Sequence, residues 1–394
     1  MDTAQTGKLV ILDTVDALQG IRSAWDRLQR IQEHPDPNAD FDHFVTVAVH
    51  KPEVVKPCVA VLYEGGEILA IVGGRIERHA ADLKIGYKKL FTTPSRSLTI
   101  VSGGVLVDPR FTRREQLAAA LRRAMKEQGA DVLLFHSLDE QSPLYSPAAR
   151  TRYGFPLVLR SAPRRHWRTA VPETMEDFYQ ARSKNHRKNL KSHMRRLKRD
   201  FPDWEVRRFT EPGEVEELFS AVEAVASVSY QRGLGVGFTL DELTRERFLL
   251  AARRGWLKSY VLFLGGRPRA FQLAFSYLGC LFAKGKAYDQ SCARYGPGTF
   301  LFLHALEEAA REKKVKWWDF GIGDAEYKRM YGTSFWTERN IYWCQGTPRG
   351  IATALTFGVN SVTASVGGKL AEVSNIGRTV KKTWRKRAVR REAA

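Results

Sequence analysis

Two glycines at the start of one predicted helix could form an anion-binding site. In the segment ARYGPGTFLFLHALEEAA, Gly296 and Gly298 precede an amphipathic run from about Thr299 to Lys313. The N-terminus of a helix presents unpaired backbone N–H groups and the positive end of the helix dipole, and small residues let a phosphate approach closely. The residue types therefore predict a phosphate-binding turn, and an ordinary turn before a helix is the alternative.

A strongly basic stretch, SKNHRKNLKSHMRRLKRD (Ser183 to Asp200), supplies cations that could hold an anionic ligand. Eight of its eighteen residues are Lys or Arg. Four apolar residues recur at spacings of four, three and four, which predicts one buried stripe of a helix. They are Leu190, Met194, Leu197 and Phe201. The cations line another face, so Arg187 and Lys191 are candidate substrate-binding residues, and a solvated basic surface helix is the alternative.

A second glycine pair excludes one class of enzyme. In DFGIGDAEYK, Gly321 and Gly323 resemble part of a dinucleotide-binding fingerprint, but Glu326 occupies the place of its third glycine. A carboxylate there would face the pyrophosphate of the dinucleotide, so we exclude a Rossmann site.

The elements that must position these residues occur twice in the chain. CVAVLYEGGEILAIVGGR, from residue 58, and YVLFLGGRPRAFQLAFSY, from residue 260, each have two apolar runs around a Gly-Gly turn, which predicts a β-hairpin. An amphipathic helix follows each hairpin, at about 113–128 and 299–313, and an apolar strand follows each helix. This order predicts an internal duplication and an α/β (α+β) fold, in which each half is a mixed sheet flanked by helices.

The length of the chain predicts more than one domain. Its 394 residues exceed what a single core usually organises. We predict one domain at residues 1–165 and a second at 166–346, followed by a C-terminal amphipathic, basic tail at 347–394. The second domain is expected to begin with a strand near Trp167 and to contain a helix near Val215 to Gln231.

Four segments of the second half resemble the Fem-related acyltransferases of the GNAT superfamily, and more narrowly an acetyltransferase family often found in bacterial envelope and exopolysaccharide loci. The segments are SKNHRKNLKSHMRRLKRD, GWLKSYVLFLGGRPRAFQLAFSY, AYDQSCARYGPGTFL and DFGIGDAEYKRMYG. The resemblance covers about Thr174 to Trp343, and over the first half it rests on the architecture. It implies two tandem GNAT-like domains that transfer an acyl group from an acyl-CoA donor to an amine, without a permanently bound cofactor.

The resemblance also implies where the donor would bind. GNAT enzymes hold the coenzyme A pyrophosphate with the pattern Q/R-x-x-G-x-G/A. Here Arg294 precedes Gly296 by two positions, and Ala293 stands at the expected position. We therefore predict Arg294, Gly296, Gly298 and Thr299 as the cofactor-binding residues, with a departure from the family pattern at the arginine.

Catalytic residues are implied in the late strand and the loop after it. Amine acylation needs a deprotonated ammonium, a polarised donor carbonyl and a protonated leaving thiolate. Asp324, Tyr327 and Lys328 match the family's signature there. Asp324 would take a proton directly or through water, Tyr327 would protonate the thiolate, and Lys328 would bind the acceptor or a donor phosphate. Tyr288 is a further candidate acid, and capping or packing is the alternative role for each residue.

The C-terminal segment has the pattern of an interfacial membrane helix. From Ile351 to Trp384, apolar residues recur at a mean spacing of 3.67 (33 residues over nine intervals), and seven Lys or Arg lie between Lys381 and Arg391. An apolar stripe with a cationic end suits the surface of an anionic leaflet. The alternatives are packing on the catalytic domain and a loosely ordered tail.

Composition limits the class of protein. A net charge of +20 attracts polyphosphates, nucleic acid or an anionic membrane. The basic stretch lacks helix-turn-helix and zinc-finger spacing, so nucleic acid is not an expected partner. Four scattered cysteines without a CxxC pair argue against a disulfide framework and a metal site. The acidic start of the chain and the lack of an apolar run near about 18 residues predict a cytoplasmic protein, peripheral on the inner membrane face.

Together these patterns predict an enzyme, an N-acyltransferase that acts on a primary amine at the cytoplasmic face of the membrane. The first acceptor we expect is a long-chain sphingoid amine, as in bacterial ceramide synthesis, and an amino sugar or peptide of an envelope precursor is the alternative. Two other hypotheses remain open. One is a Fem-type transferase that uses aminoacyl-tRNA, and the other is a non-catalytic adaptor that tethers an anionic ligand to the membrane.

Overall fold

The computed structural model describes residues 7–85, 88–150, 154–229 and 238–373. In it, each predicted Gly-Gly turn connects the two strands of a β-hairpin. The first hairpin joins β3 (Val59–Glu64) to β4 (Glu67–Ile85), and the second joins β10 (Ser259–Leu264) to β11 (Arg267–Tyr277). All four turn glycines have a positive φ, between 59° and 85°. A two-residue hairpin turn requires this conformation at both positions, and glycine adopts it without strain.

The described chain divides into two units, with the first division between Arg165 and His166. Phe335 is followed by a return to the first unit, with which the described residues 336–373 group. The sequence instead places residues 166–346 together and 347–394 apart. The difference arises because the last strand, β14 (Ser334–Cys344), pairs with β6 (Val132–Asp139), about 200 residues earlier in the chain.

The first unit is a mixed sheet with helices. Its strands lie in the order β1-β3-β4-β5-β6-β14, with β2 beside β4 and β7 beside β14. β5 and β6 are parallel to each other. The remaining elements are β1 (Lys8–Leu12), α1 (Val15–Gln19), α2 (Arg22–Arg30), α3 (Phe41–His50), β2 (Val54–Pro57), β5 (Lys88–Val107), α4 (Arg114–Glu127), α5 (Tyr145–Ala149), β7 (Leu157–Arg160) and α12 (Pro348–Val373).

The second unit repeats the same order of hairpin, third strand, helix and parallel strand. Its strands lie in the order β8-β13-β12-β11-β10-β9, and β12 and β13 are parallel. The remaining elements are β8 (Arg164–Ala170), α6 (Met175–Gln180), α7 (Lys184–Asp200), β9 (Glu205–Phe209), α8 (Val215–Ser227), α9 (Glu242–Arg253), β12 (Cys280–Tyr288), α10 (Pro297–Glu312), β13 (Trp317–Ile322) and α11 (Glu326–Tyr331). The predicted fold class of two tandem mixed sheets with flanking helices is confirmed. The helix expected near Val215 to Gln231 ends at Ser227, and Gln231 lies outside the described residues.

The basic stretch is a folded helix, as its apolar stripe predicts. Ser183 is the N-cap of α7, and its hydroxyl accepts a hydrogen bond from the backbone N–H of His186. Leu190 and Leu197 are buried in the core around α10, and Met194 and Phe201 pack against that core. Most of the Lys and Arg side chains of α7 are exposed.

The C-terminal helix packs with its small polar face, not with its apolar stripe. Thr353 and Thr356 of α12 are buried, and the hydroxyl of Thr356 lies 3.3 Å from that of Thr93 on β5. Three residues of the predicted apolar stripe are instead solvent-exposed, Ile351 by 38%, Leu355 by 66% and Val359 by 46%. The later stripe positions fall on residues whose side chains, or whole placement, lie outside the described part of the structure. Within the described ranges, no helix is both long and apolar enough to cross a membrane.

Candidate functional site

A cavity of about 230 Å³ opens in the second unit where two parallel strands stop pairing. β12 and β13 pair over Cys280–Phe282 and Trp317–Asp319. The residues that follow in each strand, Ala283–Lys286 and Phe320, line the cavity. The rest of the lining comes from β11, α10 and α11: Gln272, Gly298, Thr299, Phe302, Tyr327 and Tyr331. The cavity therefore joins a strand gap to the start of a helix.

The start of α10 is built to leave backbone N–H groups accessible. Gly296 is the N-cap, with a left-handed φ of 61°, and Pro297 takes the first helical position. The first turn consists of uncharged residues, of which Gly298 and Thr299 line the cavity. A Cβ atom on Gly296 would lie 3.4 Å from Nδ1 of His193 on α7, so the ring of this histidine lies beside the helix start. Unpaired N–H groups and a positive dipole end favour an anion here.

Lys286 of β12, a half-buried lysine, lines the cavity. Its Nζ lies 3.0 Å from the centre of the Tyr327 ring. Burial, and after it the positive charge of Lys328, lowers the pKa of Lys286 to about 7. The ordinary pKa of lysine is 10.5, so these surroundings favour the neutral form of Lys286.

Lys328 of α11 is buried, and backbone oxygens hold its ammonium. Its Nζ donates to the carbonyl of Gly321 at 2.9 Å and to that of Ile322 at 2.8 Å. Burial lowers the pKa of Lys328 to about 8, although Asp319 and Asp324 raise it. Two carbonyl acceptors favour the charged form, so this lysine places a positive charge beside the cavity.

Two tyrosines complete the polar part of the lining. Tyr327 faces Lys286 with its ring, and its ring centre lies 5.9 Å from that of Phe320 in an edge-to-face contact. Burial raises the pKa of Tyr331, against a hydrogen bond with Thr299 and the charge of Arg182, so this hydroxyl keeps its proton. The cavity thus offers hydroxyl donors, an amine with a lowered pKa and a helix N-terminus within one concave surface.

Comparison with known proteins assigns the domain. Residues 184–329 match the model of the family described as acetyltransferase (GNAT) domain. The second unit of this chain therefore contains a GNAT domain. The matched range contains every lining residue of the cavity except Tyr331, so the cavity belongs to the GNAT domain.

The fold of the chain is similar to that of FemX. The crystal structure of FemX aligns with a TM-score of 0.52 at 11% identity, over 83% of this chain and 96% of FemX. A tandem GNAT protein from the clavulanic acid biosynthesis pathway aligns with a TM-score of 0.49 at 13% identity, over 86% and 99% of the two chains. L-PGS from Bacillus licheniformis aligns with a TM-score of 0.48 at 12% identity, over 86% of this chain and 98% of L-PGS. No curated protein sequence matches this chain.

The GNAT domain brings several of the predicted site residues together. Gly298, Thr299 and Tyr327 line the cavity, and Gly296 caps the helix at its edge. Tyr288 lies next to the helix start, because a Cβ on Gly298 would lie 3.5 Å from its ring. Lys328 lies behind the cavity wall, with its ammonium bound to backbone carbonyls.

Other predicted residues lie outside the lining of this cavity. The carboxylate of Asp324 is 41% exposed and forms an ion pair with Arg329 at 2.9 Å. Arg294 donates a hydrogen bond to the hydroxyl of Tyr295. Lys191 is exposed on α7, with its Nζ 5.1 Å from the centre of the Tyr179 ring, and Arg187 is half-buried on the same helix.

Sequence reasoning missed Lys286, because its segment KGKAY has the alternation of an ordinary strand. A lysine two residues before Tyr288, itself a predicted site residue, is the signal that could have pointed to it. His193 belongs to the basic stretch in the sequence, and the structure places its ring beside the start of α10. In the part of the chain that the structure describes, no group of three or more His, Cys, Asp or Glu is arranged to hold a metal ion.

Proposed function

We propose that the GNAT domain transfers an acyl group from an acyl-CoA to a primary amine. The observation that carries this proposal is the glycine start of α10, which opens onto the cavity between β12 and β13. The N–H groups of this turn would hold the pyrophosphate of coenzyme A, as Gly296, Gly298 and Thr299 were expected to do. His193, at the same turn, would contact a phosphate oxygen.

The cavity would then hold the thioester and its first carbons. Phe302 and Phe320 supply an apolar wall, and the lining tyrosines supply hydroxyl donors. Tyr327 would protonate the thiolate of coenzyme A as the C–S bond breaks, because a thiolate without a proton is a poorer leaving group in a buried site. The cations of α7, including Arg187 and Lys191, would attract the phosphates from solvent.

The acceptor amine would be met at the cytoplasmic face of a membrane. The exposed stripe of Ile351, Leu355 and Val359 on α12 supports this part of the proposal, and so does the run of seven cations that follows in the sequence. Apolar side chains partition into the interface while basic ones bind anionic headgroups. A long-chain sphingoid amine would be presented at such a surface, as would the amine of an envelope precursor.

Thermal stabilisation by a series of acyl-CoAs tests the donor. A ligand at 100 times its dissociation constant stabilises a protein by about 2.7 kcal/mol, which shifts the melting temperature by several degrees. The series runs from acetyl-CoA to palmitoyl-CoA, with free coenzyme A, bulk tRNA and a chain-matched detergent as controls. Stabilisation that rises with chain length above the detergent control favours a lipid acyltransferase. A response to tRNA without a response to any coenzyme A overturns the thioester donor and favours a Fem-type transferase.

Liposome binding tests the membrane surface. Leu355→Gln, and a deletion of residues 381–391, should each weaken binding to vesicles that contain phosphatidylglycerol, because they remove apolar area and positive charge respectively. Leu240→Gln is the matched control, since Leu240 is 44% exposed in the second unit. Unchanged binding by both variants would contradict the membrane proposal without affecting the donor.

A further inference from the structure

The proposed reaction leaves one proton without an acceptor. An aliphatic amine is largely an ammonium ion at neutral pH, and it must lose a proton before it can attack a thioester. Carboxylates and imidazoles are the usual bases for this step. Of the described residues that line the cavity, none is an Asp, Glu or His.

We infer that Lys286 is the general base of the acyl transfer, a role that rests on the proposed function. Lys286 lines the cavity, and its Nζ lies over the ring of Tyr327. It belongs to β12, the strand whose gap from β13 forms the cavity. An amine can accept a proton only when it is neutral, and the surroundings of Lys286 favour that form. A second cation, Lys328, lies close enough to oppose its protonation.

The groups around Lys286 and Lys328 favour different charge states for the two lysines. On α11, Lys328 donates to two backbone carbonyls and keeps its charge, and the carboxylates of Asp319 and Asp324 act on that lysine. β11 and α10 present uncharged residues to the cavity. On β12 itself, Lys284 also lines the cavity, with its Nζ 5.3 Å from the centre of the Phe275 ring.

The ring of Tyr327 can stabilise the charged form of Lys286. After the lysine has taken a proton, its ammonium lies over the negative face of an aromatic ring, which attracts a cation. Burial opposes the charge and the ring favours it, so neither form is excluded at neutral pH. This balance is what a base needs in order to take a proton and return it.

The protons and bonds of the step balance. Neutral Lys286 takes one proton from the acceptor ammonium, and the free amine attacks the carbonyl carbon of the thioester. The C–N bond forms and the C–S bond breaks. The second proton that the nitrogen loses goes to the coenzyme A thiolate through the hydroxyl of Tyr327. Lys286 returns its proton to water after the amide and the thiol have left.

The pH dependence of turnover tests this role. In the wild-type enzyme, kcat/KM for palmitoyl-CoA and sphinganine should rise with pH through a limb near pH 7. Lys286→Met should lower kcat at least 100-fold, keep the affinity for palmitoyl-CoA within threefold, and remove that limb. Lys284→Met is the matched control, a second lysine of the same cavity, and it should keep the limb. A Lys286→Met enzyme that retains the limb overturns the inference.

Chemical restoration separates a catalytic role from a structural one. Lys286→Cys treated with bromoethylamine regains an amine at this position, and the four native cysteines are buried, so the reagent should select the new thiol. The modified enzyme should recover turnover by at least tenfold, whereas Lys286→Arg, which is always protonated, should not. Failure of the modified enzyme to recover, with its binding of palmitoyl-CoA intact, overturns the inference.

A direct titration distinguishes this inference from the proposed function. The ¹³Cε signal of Lys286, assigned by its loss in Lys286→Met, should titrate near pH 7 in the unliganded protein. That measurement needs no substrate. A signal that titrates above pH 9 overturns the role of Lys286 even if the enzyme uses acyl-CoA. A signal near pH 7 in a protein that binds no acyl-CoA would overturn the proposed function, and with it the base.

Discussion

The two units share one order of elements but treat the start of their crossover helix differently. In the first unit, the N-cap of α4 is Arg113, whose guanidinium pairs with Glu64 at 2.9 Å, and Glu115 lies in the first turn. In the second unit, Gly296 and Pro297 open α10, and its first turn is uncharged. A carboxylate near a helix N-terminus neutralises the positive dipole end, whereas glycine leaves it available. The two units therefore share one order of elements, but the start of α4 lacks the open helix N-terminus found at the start of α10.

The units also differ in how they hold buried charge. In the first unit, the carboxylate of Glu77 accepts from Arg75 and from Lys51, each at 3.0 Å. In the second, Lys286 has the cation Lys328 as its charged neighbour. Paired burial stabilises both partners, whereas burial of an amine beside a like charge makes the amine neutral. The two clusters therefore differ in their electrostatics. The first pairs its buried charges, and the second lowers the pKa of an amine that lines the cavity.

Breaking the paired cluster should have the largest effect. Glu77→Gln should destabilise the protein by about 3 to 5 kcal/mol, because it leaves Arg75 buried without its counter-charge. Burial would raise the pKa of Glu77, but Arg75 and Lys51 hold it below the ordinary 4.5. The stabilisation is therefore present above pH 4.5 and lost as the pH falls through the lowered pKa.

Urea denaturation at pH 7 measures this change. Glu115→Gln is the control, because its pair with Arg150 is about half exposed and should contribute less than about 1 kcal/mol. Equal losses of unfolding free energy for Glu77→Gln and Glu115→Gln would contradict a larger contribution from the buried carboxylate of Glu77.

Filling the helix start should affect binding more than folding. Gly298→Val should weaken acyl-CoA binding at least tenfold, or about 1.4 kcal/mol, because its methyl groups would occupy the cavity. A Cβ at this position meets the ring of Tyr288 at 3.5 Å, an ordinary contact, so the fold should tolerate it. Isothermal titration calorimetry measures the affinity. Arg113→Ala, at the start of the crossover helix of the first unit, should leave the affinity unchanged, and a loss there would mean that both units bind the donor.

Replacing the amine of Lys286, which lies beside a second cation, should stabilise the protein. The folded pKa of Lys286 is about 7 and its ordinary pKa is 10.5, so between these values the unfolded chain binds more protons and wild-type stability rises with pH. Lys286→Met removes this penalty and should add about 1 to 2 kcal/mol below pH 7, fading towards pH 10. Thermal melts from pH 6 to pH 10 measure the trend. A variant that is less stable than wild type at pH 6 would count against a neutral lysine.

The smallest effect is expected at Asp324. Asp324→Asn breaks an ion pair with Arg329 at the surface, which should cost less than about 1 kcal/mol. Because its carboxylate lies outside the cavity lining, turnover should stay within about threefold of the wild type. A loss of turnover at least as large as that of Lys286→Met would return the role of base to Asp324.

Local patterns were enough to predict the elements around the site. The Gly-Gly turns predict the hairpins because two-residue turns need a positive φ, and the stripe through Leu190 and Leu197 predicts the buried face of α7. The glycines before Thr299 predict the open start of α10 in the same way. Each of these features depends on residues within a few positions of one another, so the sequence carries the signal.

The placement of β14, of α12 and of Lys286 was decided by the tertiary structure. β14 leaves the second unit to pair with β6, and α12 turns its threonines to a polar sheet face, which leaves Leu355 exposed. In the sequence, Lys286 is a strand lysine like Lys284. The fold places Tyr327 and Lys328, which come about forty residues later in the chain, beside it. A pKa sums burial and charge over every neighbour in space. The sequence by itself determined which residues share a face, and the fold decided what that face would meet.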